Sequence, residues 1–282
     1  AWNRYIHEFS AVEAHFICSM DADIVFHHRD TLYNLVAVLE RNPRVPASTG
    51  RQCKDLIFKA RKTLFERLSL ATSAMSGGEA GMICGQLYCL RAEVARNLFI
   101  PRDLGATEDG FIKAMVCTSF LTQPSDPGRV ILAPEAVHIF QAYVRPSEVL
   151  NNQKRQMIGQ TLVHVLVEYL RTRPVPERIN LADTLRRLEA HDPDWLKRLL
   201  AAHLKCRRYF WRLFPELLTF RFKRCWRSPG WKKVTRLPAA CVGLGVTLIA
   251  CARAHRLMRR GMTQYWPKAS RHPVLSAPHE AK

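Results

Sequence analysis

The chain has 282 residues, 48% of them hydrophobic, a formal charge of +19 at neutral pH and nine cysteines. This hydrophobic content excludes a disordered protein and supplies one sizeable core, with room for a second, smaller unit. The cysteines are scattered without a CxxC pair or a His/Cys ligand spacing, so they fit reduced, mostly buried thiols of a cytosolic setting better than a disulfide framework or a zinc site.

The charge is uneven. Residues 1–160 hold 18 Lys/Arg against 16 Asp/Glu, whereas 161–282 hold 25 against 8. Two regions with different surroundings are expected, the second with an anionic partner. The opening stretch AWNRYIHEFSAVEAHF lacks the charged start and hydrophobic run of a signal peptide, and it does not begin with Met. The sequence is therefore expected to start inside a larger protein.

In chain order, HFICSM is a short apolar, β-prone run. DTLYNLVAVLERNP then places Leu32, Leu35, Val36 and Leu39 at helical spacing, with Asp30 as N-cap and Pro43 closing the segment. LIFKARKTLFERLSLATSAM predicts an amphipathic helix, followed by the flexible SGGEAG. MICGQLYCLRAEVARNL starts as a strand and ends as a helix. TEDGFIKAMV predicts a helix opened by Thr107, with acidic residues in its first turn where the helix dipole favours them. RVILAPEAVHIF predicts two short strands around Pro134. Strands interleaved with helices predict a layered α/β domain, in which ligands bind at the carboxyl ends of strands.

At one such end stand Asp21 and Asp23. Two carboxylates two residues apart repel each other unless a hard divalent cation, Mg²⁺ or Mn²⁺, lies between them, and that cation can carry a diphosphate. A bare DxD is a common tripeptide, equally at home as loop and cap residues. The same applies to Glu108 and Asp109, which decorate an ordinary first helical turn as well as they serve acid/base chemistry. His27 and His28 follow the strand as surface residues, and His138 lies on a predicted strand. Cys84 and Cys89 read as core.

The order of the motifs says more than any one of them. DAD at 21–23, GGEAGMICGQLYCLR about sixty residues on, TED at 107–109 and KRQMIG at 154–159 together resemble the inverting family 2 glycosyltransferases of GT-A fold, over about residues 1–160. The resemblance implies a mixed, Rossmann-like sheet. It implies that Asp23 coordinates a metal, with Asp21 at the metal or the nucleotide, and that Gly85 through Arg91 edges the acceptor pocket. Asp109 aligns with the catalytic base and Glu108 sits beside it. Arg155 would steady the diphosphate, with Gly159 completing the motif. Asn152 and Gln156 stand where relatives carry Gln and Trp; Gln156 thus occupies an acceptor-platform position, and its identity favours single-sugar transfer over processive synthesis. Because relatives carry the nucleotide-base pocket on strands that precede the DxD, the resemblance also implies a fragment without that part, whose sheet exposes an unpaired edge.

Chemistry assigns the same roles. A sugar nucleotide reacts when its anomeric carbon loses a diphosphate, so the site needs a cation on the leaving group and a base for the incoming hydroxyl. The expected function is metal-dependent, inverting transfer from a nucleotide-sugar, UDP-linked by family analogy, to a glycan or lipid-linked acceptor.

Beyond 160 the sequence turns basic. Residues 161–204 predict helices around the linker RTRPVPER. Residues 205–233 interleave ten Lys/Arg with eight aromatics, the pattern of an interfacial membrane segment, and the wider basic stretch 205–265 is expected to be membrane-associated. Within it, 237–252 is uncharged for sixteen residues: a short transmembrane helix, an interfacial or re-entrant segment, or a buried helix. Residues 266–282 are expected to be disordered. The whole predicts membrane association with the site on the cytoplasmic side. Two rivals remain at this level. A catalytically inactive remnant is favoured by the missing part, and a nucleic-acid-binding protein by the arginine–aromatic stretch; the latter leaves DxD and TED unexplained, and no nucleic-acid partner is expected.

Overall fold

The computed structural model describes residues 1–67, 69–70, 80–105, 107–206, 210, 219, 226, 230 and 232–263. Its centre is a mixed five-stranded sheet flanked by helices, an α/β architecture. The strands are β1 (Phe16–Met20), β2 (Val25–Phe26), β3 (Ala47–Lys54), β4 (Leu87–Arg91) and β5 (Val130–Phe140), in the order β1-β4-β3-β5-β2. Only β3 and β5 run parallel; the other pairs are antiparallel. Among the described residues β1 and β2 are therefore the edge strands. The outer side of β1 is only partly covered: the Tyr5 hydroxyl donates to the Cys18 carbonyl at 3.3 Å.

Helix α1 (Trp2–Arg4) continues as a π-helical turn, Tyr5–Phe9. It is tied to the body by Asn3, whose amide side chain exchanges two 2.8 Å hydrogen bonds with the Ile100 backbone. Helix α2 (Thr31–Arg41) covers one sheet face, where Leu35 and Leu39 are fully buried against Leu87, Ala133 and Ala136. Truncating Leu35 to Ala there would cost roughly 2–5 kcal/mol. Asp30 occupies the N-cap position but makes no side-chain capping bond; the Thr31 hydroxyl donates to the His28 carbonyl at 2.6 Å instead.

The other face carries α3 (Ala92–Arg96), α4 (Glu108–Cys117), α5 (Pro146–Arg171), the short α6 (Val175–Ile179), α7 (Leu181–His191), α8 (Trp195–Cys206) and α9 (Lys232–Arg259). One continuous core runs from Ile17 and Tyr88 through Phe111, Ile158 and Leu166 to Leu185, Leu200 and Met258. Helix α5 spans 26 residues and crosses position 160, so the boundary expected there falls inside a single helix whose two halves share that core.

Strand β3 carries no apolar alternation in its sequence, ASTGRQCK, and was not foreseen. It sits at the centre of the sheet between β4 and β5 because small side chains fit there and its hydroxyls find partners. The Ser48 hydroxyl donates to the Leu35 carbonyl at 2.7 Å, and Thr49 Oγ1 accepts from the Cys84 amide at 2.8 Å. The helix expected from Leu56 onward is displaced: β3 runs to Lys54 and a 3₁₀ turn, Asp55–Phe58, follows, with a helical turn at 64–67. Residues 71–79, including most of the expected loop, lie outside the described residues. The two strands expected around Pro134 are one, β5, with residues 134–136 bulged out between the pairs Gly50↔Ala133 and Arg51↔Val137. Gly50 is required at that bulge, because a Cβ would lie 3.0 Å from the Ala136 carbonyl oxygen and 2.8 Å from Leu87.

The uncharged run 237–252 lies within α9, which packs on α5 and α8. Within that run Ala240, Thr247, Ala250 and Cys251 are buried, while Leu237, Cys241 and Ile249 are exposed. No helix among the described residues is long and apolar enough to cross a membrane. Most of 205–231 and all of 266–282 lie outside the described residues.

Candidate functional site

Strand β1 delivers Asp21 to the end of the sheet. Its amide donates to the Gln86 carbonyl at 3.0 Å, which extends the β1–β4 ladder by one residue and fixes the DxD turn beside the loop that leads into β4. Both Asp21 and Asp23 are solvent-exposed. Loss of hydration still raises the Asp21 carboxyl above its ordinary range, with the negative charge of Asp23, and that of Asp109 further off, pushing the same way and Arg155 opposing them.

The loop before β4 is shaped by Gly81 and Gly85. Gly81 has φ +77°, the left-handed region, where a Cβ would meet Pro127 at 2.8 Å. Gly85 faces the TED segment. A Cβ on it would stand 3.1 Å from Asp109 Oδ2 and 3.2 Å from Asp109 Cβ, so the bare α-carbon lets the carboxylate approach the loop.

Helix α4 begins at Glu108 with Thr107 at its N-cap. The Asp109 Oδ1 accepts from the Gly110 amide at 2.7 Å, and Arg155 lies within its field. Both favour the ionised acid, as does the helix N-terminus. Burial nonetheless outweighs them and raises the Asp109 carboxyl above its ordinary 3.8. Glu108 is raised likewise, first by burial and then by Asp109 and Asp21. Three carboxyls from two segments are thus held where charge is unwelcome.

Helix α5 brings the counter-charge. Arg155 is close enough to act on Asp21, Glu108 and Asp109 together. One turn later Gly159 is overlaid by Thr107, whose Cβ would be only 2.5 Å from a Cβ at that position. No side chain fits between α5 and the TED segment, which is why Gly159 and Thr107 face each other. Asn152, one turn before Arg155, and Gln153 each have a buried side-chain oxygen without a hydrogen-bond partner, as do Thr107 and Gln86.

Of the residues marked in the sequence, Asp21, Asp23, Gly85, Glu108, Asp109 and Arg155 come together at this sheet end. Gln156 is exposed on α5 beside Arg155. Arg91 does not join them. It lies at the far end of β4, where its guanidinium donates to the carbonyls of Leu39 (2.8 Å), Asn42 (3.2 Å) and Val45 (2.9 Å) and stacks 5.4 Å over Phe16. It closes the C-terminus of α2, with its donors committed to carbonyls.

The sequence reading missed the floor of the site. Tyr88 is almost fully buried beneath the carboxylates, accepts from Trp2 Nε1 at 2.8 Å and has its phenol pushed up to about 12, chiefly by burial and further by Glu108 and Asp109. Only the alternation of LYCLR hinted that Tyr88 faces inward. A cavity of about 1050 Å³ adjoins the site through the 80–84 loop, with His27, His28, Gln52 and Cys84 in its wall.

A metal cage made of protein side chains alone is absent: among the described residues no three His, Cys, Asp or Glu side chains converge to hold an ion. The donor set at Asp21 and Asp23 nevertheless suits a hard cation that keeps open positions, since a divalent ion would relieve the repulsion that Asp23 exerts on the Asp21 charge. No protein-family model matches the chain, and no curated protein sequence matches it either. Nothing in those comparisons assigns it to a family.

Proposed function

We propose that the chain carries the acceptor-activating and diphosphate-holding part of a metal-dependent, inverting glycosyltransferase of the family 2, GT-A type. The substrate class is a nucleotide-sugar, UDP-linked, and a hydroxyl on a glycan or lipid-linked acceptor at a membrane surface. The observation that carries this reading is the meeting of Asp21, Glu108, Asp109 and Arg155, from three segments 85 or more positions apart at the first junction and about 45 at the second, at one sheet end.

Asp21 and Asp23 would hold the divalent cation, which when bound neutralises the diphosphate leaving group. Arg155 offers a planar guanidinium to the same phosphates. Asp109 takes the proton of the acceptor hydroxyl as the acceptor oxygen bonds to the anomeric carbon from the face opposite the departing diphosphate. The bond from that carbon to the phosphate oxygen breaks with its electron pair on the nucleoside diphosphate, so the configuration inverts. A carboxyl with a raised pKa is the stronger base for that proton. Glu108 stands beside Asp109 at the start of the same helix, its own carboxyl raised by burial and by the Asp109 charge.

The test is calorimetry of Mn²⁺-dependent UDP-sugar binding to the full chain. Binding is expected in the wild type, lost in Asp23→Ala and retained in Asp109→Asn. Binding that is equal in Asp23→Ala and wild type would overturn the metal assignment. Absence of donor binding from the wild type would overturn the reading and leave the inactive remnant.

A further inference from the structure

Beside the carboxylate site, and built from other residues, three donor atoms converge on the wall of the cavity. Cys84 Sγ lies 3.7 Å from His138 Nε2 and 3.9 Å from Gln52 Oε1. Gln52 and His138 are held side by side because they are partners in the parallel register of β3 and β5. The thiol is held opposite them because the Cys84 amide donates to Thr49 Oγ1 at 2.8 Å. Cys84 and Gln52 both stand in the cavity wall, which leaves one side of the group open to that space.

A thiol is a weak donor, and both contacts are long for hydrogen bonds, so the three groups satisfy one another poorly. His138 is fully buried and its Nδ1 has no partner. An imidazole nitrogen and a thiolate are the donors that a soft cation takes, so binding displaces the Cys84 proton. Typical zinc distances of about 2.3 Å to sulfur and about 2.0 Å to imidazole nitrogen, at a tetrahedral opening, put the two donor atoms about 3.5 Å apart. The observed separation is close to that value.

We propose that Cys84, His138 and Gln52 form a binding site for a thiophilic divalent cation of the Zn²⁺ type, with a fourth position open to the cavity. Binding breaks the Cys84 S–H bond, forms a sulfur–metal bond and releases one proton to solvent. The site is distinct from Asp21 and Asp23, whose carboxylates suit a hard cation, and does not rest on the glycosyltransferase reading. Because Cys84 precedes Gly85, an ion here would also stiffen the loop that faces Asp109.

The probe is Co²⁺ titrated into the full chain, with Zn²⁺ added afterwards. One equivalent is expected to produce a thiolate-to-metal charge-transfer absorption that Zn²⁺ abolishes. Cys84→Ser should remove the band, His138→Gln should weaken apparent affinity by about ten-fold or more, and Asp23→Ala should leave both unchanged. No band in the wild type, or an undiminished band in Cys84→Ser, overturns the proposal. A second measurement needs no variant: Zn²⁺ should protect Cys84 from alkylation while the exposed Cys206 and Cys241 react as before. Equal labelling of Cys84 with and without Zn²⁺ overturns it as well.

Discussion

The acidic residues at the sheet end and those on the C-terminal helices live under opposite rules. On α5 to α8, Glu168 pairs with Arg171, Glu177 with Arg173, Asp183 with Arg186 and Asp194 with Lys197, each three or four positions away along a helix or at its start. Lys197 draws the Asp194 carboxyl below its ordinary 3.8. Asp21, Glu108 and Asp109 are raised instead, chiefly by loss of hydration, which outweighs Arg155; neighbouring carboxylates add to it at Asp21 and Glu108. Glu189 is the helical exception: it is raised by burial, where it accepts from the Arg102 amide. Acids placed for stability are solvated and paired; acids placed against stability mark a site that serves something else.

That contrast is broken most directly at Asp109. Asp109→Asn should lower transferase rate by about 10²–10⁴-fold, the usual contribution of a general base. It should leave the melting temperature unchanged or higher, since the amide oxygen still accepts from Gly110 and no charge is buried. A large loss of stability with activity retained would make Asp109 a structural acid.

The glycines sharpen the comparison in the same two regions. Gly159→Ala forces a Cβ into Thr107 and should destabilise the chain by roughly 1–3 kcal/mol, the usual cost of overpacking. Gly245, inside α9, has open space where an added methyl would sit, with nothing within 4 Å, so Gly245→Ala should stabilise by roughly 0.5–1 kcal/mol through helix propensity. Denaturant unfolding of the two variants checks both signs.

Acid titration separates the regions without mutation. A carboxyl whose folded pKa is raised penalises the fold once it ionises, so that penalty is full above the raised value and relieved as pH falls toward the ordinary 3.8 of Asp and 4.5 of Glu. Asp194, whose pKa is lowered, keeps its contribution in that window and loses it only below 3.8. Stability followed by thermal melts should therefore hold or rise on mild acidification before it falls, and Asp109→Asn should flatten the rise. The smallest effect is expected from Asp183→Asn, since exposed ion pairs contribute little; its melting curve should nearly overlay the wild type.

Much of the site was legible because its signals are local. A strand that ends in DAD, a helix that opens with TED and the spacing to Arg155 each follow from short windows of sequence. The helices α2, α4, α7 and α8 follow from apolar periodicity in the same way. Strand β3 was not legible, because its burial depends on what lies beside it: Ser48 and Thr49 become core residues only where Leu35 and Cys84 supply their partners. Arg91 carried the right charge in the right motif, yet three carbonyls at the end of α2 occupy it. Cys84 and His138, 54 positions apart, could not be paired by any spacing rule.

By itself the sequence determined which segments are strands and helices at their strongest, where carboxylates leave the core, and that the second half is basic. Only the tertiary structure decided which of those carboxylates share a field, that burial outweighs Arg155 in setting their protonation, and that β3 lies at the centre of the sheet. The physical reason is range: periodicity and capping act over a few residues, whereas desolvation and mutual repulsion depend on what the rest of the chain brings into contact.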